Sequence, residues 1–133
     1  MKKSIFQFSN PTISKMFIEV NENFENDNFK GFDLHSETSV QMSDDELEAL
    51  VTLHLELGEK GNEYPFYIIC DISSEFNWDE SIKEIRKMLS VNAPALLLSY
   101  VRPYISLLTS ATEYPAFNIP FINFKEENEN PVE

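Results

Sequence analysis

Reactive side chains are scarce in this sequence, and their placement argues against catalysis. It holds two histidines, His35 and His54, and one cysteine, Cys70. A nucleophile needs a base within hydrogen-bond reach, and a structural zinc ion needs about four ligands at close quarters. His35 and His54 each fall at polar positions of an alternating segment, where a histidine is ordinarily solvated. No spacing gathers carboxylates around them and Cys70. Cys70 stands in the apolar run Tyr67-Ile68-Ile69-Cys70, which reads as a small buried thiol with no second cysteine to pair with. Paired carboxylates serve general acid and base work. Asp44/Asp45, Asp79/Glu80 and Glu126/Glu127, however, sit in a turn, at a helix start and in the tail, where turn and capping chemistry accounts for them. Gly31, Gly58 and Gly61 are the only glycines and form no phosphate loop. The expectation is a protein that is not an enzyme and has no metal or cofactor.

Charge narrows the partners. Ten basic residues stand against 23 acidic ones, a formal net charge of -13. Binding nucleic acid through its phosphates needs a basic stripe, and an anionic membrane surface needs the same. Both are excluded as partners, whereas basic partners are favoured. With 42% hydrophobic and 13% aromatic residues, the chain is rich enough to fold around a core. Its length of 133 residues fits one domain. The longest uncharged apolar stretch, Val91 to Val101, is shorter than the roughly 20 residues a bilayer span requires. Lys2 and Lys3 are followed too soon by Gln7, Ser9, Asn10 and Pro11 for a signal peptide, so a cytoplasmic location is expected.

Four segments alternate with the period of two that marks half-buried strands. Met16, Ile18 and Val20 share a face in the first, and Phe32, Leu34, Val40 and Met42 in the second. The third places Leu47, Ala49, Val51, Leu53, Leu55 and Leu57 together, and the fourth Tyr64, Phe66, Ile68, Cys70 and Ile72. Ser43-Asp44-Asp45 and Gly58-Glu59-Lys60-Gly61-Asn62 punctuate them as turns. Short connections between consecutive strands predict a four-stranded antiparallel meander. Asn77 and Glu80 then have the spacing of a capping box. Pro94 opens a longer helix that is apolar on most of its circumference as far as about Thr112, and so needs cover on more than one side. Pro103 should kink or break it. Beyond Glu113, Pro115 and Pro120 forbid helix in an apolar stretch that must lie as an extended strap. The class predicted is α+β, with helices on one face of the sheet. Residues 1–124 are expected to form a single domain, and 125–133 to be a short acidic, disordered tail.

The run Asn92-Ala-Pro-Ala-Leu-Leu-Leu-Ser-Tyr-Val-Arg-Pro-Tyr-Ile-Ser-Leu-Leu-Thr-Ser110, followed by the strap Tyr114 to Phe124, resembles the protein-export chaperone SecB. The segment Tyr67-Ile-Ile-Cys-Asp-Ile72 is similar to that family's fourth strand. The resemblance implies a homotetramer, a dimer of dimers. It implies a holdase that keeps unfolded client polypeptides from aggregating through exposed apolar surface, without ATP. Clients would come from preprotein export, handed to SecA, or would be a dedicated polypeptide such as an antitoxin. Client binding would fall to Phe66, Tyr67, Tyr114, Phe117, Phe121 and Phe124. Glu19, Ile69 and Asp71 would meet the basic tail of SecA. The family continues into a further helix and mobile tail where this sequence has Lys125 to Glu133, a departure that bears on SecA. An acidic composition also fits a different class, an inhibitor from a mobile element that mimics DNA.

Overall fold

The computed structural model describes residues 6–25, 29–61 and 63–125. Five antiparallel strands form one sheet: β1 (Phe6–Phe8), β2 (Thr12–Val20), β3 (Leu34–Met42), β4 (Glu48–Leu57) and β5 (Phe66–Trp78). A short helix α1 (Ile85–Lys87) leads through a π-helical turn at Met88–Asn92 into the main helix α2 (Ala93–Ser110). The helix lies on one face of the sheet, which makes the α+β class plain.

Alternation decides which side of each strand is covered. Val51, Leu53, Leu55 and Leu57 of β4 and Phe66, Ile68, Cys70 and Ile72 of β5 are all buried. They sit in register, Leu53 against Ile72 and Leu55 against Cys70, so the two strands supply a continuous apolar floor. The helix lays Leu97, Leu98, Val101 and Ile105 onto it, at the spacing of three and four that keeps one helical face inward. Each such side chain contributes about 1.5–3 kcal/mol by leaving water. Burial pushes the Cys70 thiol up to about 11, so it is a core atom rather than a nucleophile at neutral pH.

The sheet differs from a meander at its first strands. β3, β4 and β5 follow one another as expected, but β2 pairs with β5, not with its sequence neighbour β3. β1, which the alternation did not reveal, also pairs with β5. At 13 residues, β5 is long enough to take both. Between them the chain turns at Ser9-Asn10-Pro11. The turn is fixed by Ser74, whose Oγ donates to the Ser9 carbonyl at 2.6 Å, while the Glu75 N–H donates to Ser9 Oγ at 3.0 Å. This explains a serine on the buried side of β5.

Two further expectations change. Asn77 does not cap a helix; it lies within β5, opposite Gln7 on one side and Glu48 on the other. Strand pairing on both sides outweighs a local capping signal. Pro103 does not break α2, which runs through it from Ala93 to Ser110, with Pro94 in its first turn as predicted. Pro103 is on the exposed side of the helix. Between β4 and β5, Gly58 has φ of +72°, and a Cβ there would come within 2.6 Å of the Phe66 carbonyl oxygen. Only glycine fits that turn. The predicted tail lies outside the described residues, apart from Lys125.

Candidate functional site

On the helix side, aromatic rings converge from three parts of the chain. Because β2 and β3 lie at opposite edges of the sheet, the connection between them must cross it. That connection carries Phe24, Phe29 and Phe32. Phe32 stacks on Phe66 with centroids 4.7 Å apart and meets Phe117 of the strap edge-on at 4.9 Å. Phe29 meets Phe32 and Tyr64, and Phe24 meets Phe29 and Tyr114. The result is a chain of rings between the crossing connection and the strap. Tyr114 closes it by donating its hydroxyl to the Asn21 carbonyl at 2.5 Å.

The strap is held to α2 by polar contacts along one side of the helix. Thr109 is buried; its Oγ donates to the Ile105 carbonyl and accepts the Phe117 N–H, both at 2.8 Å. Ser106 Oγ donates to Asn118 Oδ1 at 2.7 Å, and Arg102 Nε donates to the Ile119 carbonyl at 2.8 Å. The Arg102 guanidinium also lies 4.3 Å from the centre of the Phe121 ring. Prolines prevent the strap from forming its own ladder, so helix side chains satisfy its backbone instead.

The six residues expected to hold clients are therefore not one surface. Phe66 and Phe124 are core, at 1% and 3% exposure. Tyr114 and Phe117 are half-buried and join Phe66 through the ring chain. Phe121 is 85% exposed above Arg102. Tyr67 is on the opposite face of the sheet, by the parity of β5. Sequence reading missed Phe24 and Phe29 as members of this region. Their signal was three phenylalanines in an otherwise polar connection. It also missed the exposed side of α2, where Tyr100, Tyr104 and Leu107 are 38%, 52% and 69% exposed, with Phe8 meeting Tyr100 edge-on.

The outer face of the sheet, away from α2, has a different make-up. Glu19, Ile69 and Asp71 all lie on it, with Ile69 next to Asp71 along the outer row of β5 and Glu19 four rungs of the ladder away from Asp71. Glu19 is across from Tyr67, Ile69 from Phe17 and Glu56, and Asp71 from Lys15 and His54. Phe17 and Tyr67 pack edge-on at 5.9 Å. His54 is not the solvated histidine that its polar position suggested. Its Nδ1 lies 2.5 Å from Asp71 Oδ1 and its Nε2 3.0 Å from Glu56 Oε1. Hydrogen bonds to Glu56 and to Asp71 hold its pKa above the usual histidine value. His35, by contrast, is well exposed and touches Glu37 at 3.1 Å. Among the described residues, no cluster of three or more His, Cys, Asp or Glu side chains is arranged to hold a metal ion, and no helix is long and apolar enough to cross a membrane.

No family model matches the chain. An uncharacterized protein of Methanocaldococcus jannaschii, MJ0357, is 26% identical over 125 residues, covering 91% of this chain and 81% of its own. Among solved structures, a protein of unknown function from Streptococcus agalactiae matches with a TM-score of 0.53 at 14% identity, over 87% of this chain and 97% of its own. The SecB-like chaperone Rv1957 of Mycobacterium tuberculosis, solved with a ChAD peptide from the HigA1 antitoxin, matches with a TM-score of 0.70 at 14% identity. It covers 88% of this chain and 90% of its own. Sheet, long helix and strap together thus have the SecB-like fold.

Proposed function

We propose that this chain belongs to the SecB-like family and is a holdase, binding unfolded or aggregation-prone polypeptides without chemistry of its own. The observation that carries the reading is the ring chain from Phe24 to Tyr114 between crossing connection and strap, on a fold shared with a chaperone. Aromatic side chains accept varied apolar segments because contact area, not a fixed polar pattern, drives the association. Phe24, Phe29, Tyr114 and Phe117 are half-buried, which leaves part of each ring for a client. Phe121 extends the same strap into solvent. Phe66 supports them from the core by stacking on Phe32, and Phe124 is buried in the same core.

That the Mycobacterium tuberculosis chaperone was solved with an antitoxin peptide favours a dedicated client of that kind over general export through SecA. The outer face around Glu19, Ile69 and Asp71 would serve a basic partner, with Tyr67 on this side and not in the client region. The exposed Tyr100, Tyr104 and Leu107 supply the second covered side of α2 once copies pack into a homotetramer. Such a protein works in the cytoplasm, beside newly made chains.

The test is aggregation of a chemically denatured model enzyme diluted into buffer with stoichiometric amounts of the protein and no nucleotide. Light scattering should fall with the wild type and recover with Phe117→Ser. Equal scattering with and without the protein, for several denatured enzymes, would remove the general holdase reading. Binding only to a basic DNA-binding protein, with steep salt dependence, would instead favour the DNA-mimic class.

A further inference from the structure

The outer face carries one group whose geometry exceeds what a solvated strand residue needs. His54 presents both ring nitrogens to carboxylates, Asp71 on β5 and Glu56 two residues along its own strand. An imidazolium has two N–H groups and donates to both. A neutral imidazole has one N–H and one lone pair, so it donates to one carboxylate and repels the other. The three side chains are therefore matched to the charged ring. Other charges near it are Glu37, directly across on β3, Lys15, across from Asp71 on β2, and His35, across from Glu56 on β3. Glu37 is engaged by His35.

We propose that His54 is a proton-operated gate on the outer face: its imidazolium occupies Asp71 and Glu56, and loss of the proton frees one carboxylate for a basic partner. The inference rests on the outer face being a partner surface, as proposed above, and names how that surface is regulated. A lysine or arginine side chain arriving at Asp71 competes with the imidazolium for the same oxygen atoms. Its binding therefore expels a proton from His54, and a rise in pH strengthens it. Ile69, beside Glu56, is the apolar contact that such a side chain's methylene stem would cover. Among the described residues, the client side of the sheet has no histidine between carboxylates, so client capture stays independent of this proton.

The test uses the full chain and a short synthetic peptide alternating lysine with serine, which offers nothing to the aromatic client region. Affinity should rise about fivefold from about pH 6 to about pH 8, the effect of one unit charge at close range partly screened by water. The His54→Gln protein should bind with little change across that range. An equal rise in both proteins would overturn the gate while leaving the partner surface standing. No binding by either at any pH would overturn the partner surface, and the gate with it. A second measurement needs no peptide: the NMR titration of the His54 ring should lie above the ordinary histidine range and move down in Asp71→Asn. A titration at the ordinary position, unmoved by that substitution, would overturn the proposal even if His54→Gln failed to fold.

Discussion

Adjacent residues of β5 go to opposite sides of one sheet and meet different demands. Phe66, Ile68, Cys70 and Ile72 are no more than 2% exposed and are covered by helix and strap. Tyr67, Ile69, Asp71 and Ser73, each one residue away, remain partly open to water. The covered side is held by shape, with rings and aliphatic chains in register. The open side is held by charge, with His54 between two carboxylates, and by the Phe17–Tyr67 pair. A shape-held surface loses stability when atoms are removed. A charge-held surface changes its properties when a proton is removed, and its stability shifts less.

Truncation on the covered side should have the largest effect. Phe66→Ala removes a ring that Phe32 stacks on, and should lower unfolding free energy by about 3–5 kcal/mol in urea titration. Ile69→Ala, three residues along on the other face, should cost about 1 kcal/mol or less. Similar losses at both positions would dissolve the distinction. Next in size is Thr109→Val, which leaves the Phe117 N–H without its acceptor. A loss of about 1–3 kcal/mol is expected, together with faster amide exchange at Phe117.

On the open side the expected change is with pH. His54 has a folded pKa raised above its unfolded value of about 6.5. The folded state thus holds the proton more tightly than the unfolded chain does. The stability this supplies is fully present below the unfolded value and is lost as pH rises through the folded one. Stability should decline across that window in wild type, and the decline should vanish in His54→Gln. The smallest effect is expected at Phe121→Ala. The ring is solvent-exposed, so stability should stay within about 0.5 kcal/mol of wild type. Its effect should appear in the aggregation assay instead.

Much of this contrast was legible in the sequence, because a period of two assigns side chains to faces without reference to other strands. The covered rows of β4 and β5 could be read from Leu47 to Leu57 and from Phe66 to Ile72, and the helix opening at Pro94 by its fixed φ. Alternation does not say which strand lies beside which. The pairing of β2 with β5 was therefore hidden, and with it the crossing connection that brings Phe24 and Phe29 to the strap. His54 looked solvated for the same reason. Asp71 is its neighbour only through the β4–β5 register, and Glu56 only through a side-chain rotamer. At Asn77 a local signal pointed to a cap and a nonlocal one, pairing on both flanks, prevailed.

The placement of β2 beside β5 also has a consequence in time. Thr12 is opposite Ser73 and Val20 opposite Phe66. A ribosome makes Met16, Phe17 and Ile18 early, and their partner strand only after β3 and β4 have emerged. Loop closure over that distance makes this pairing a late and slow step compared with the β4–β5 hairpin. During synthesis, then, the half-apolar strand β2 emerges well before its partner and stays unpaired until β5 has been made.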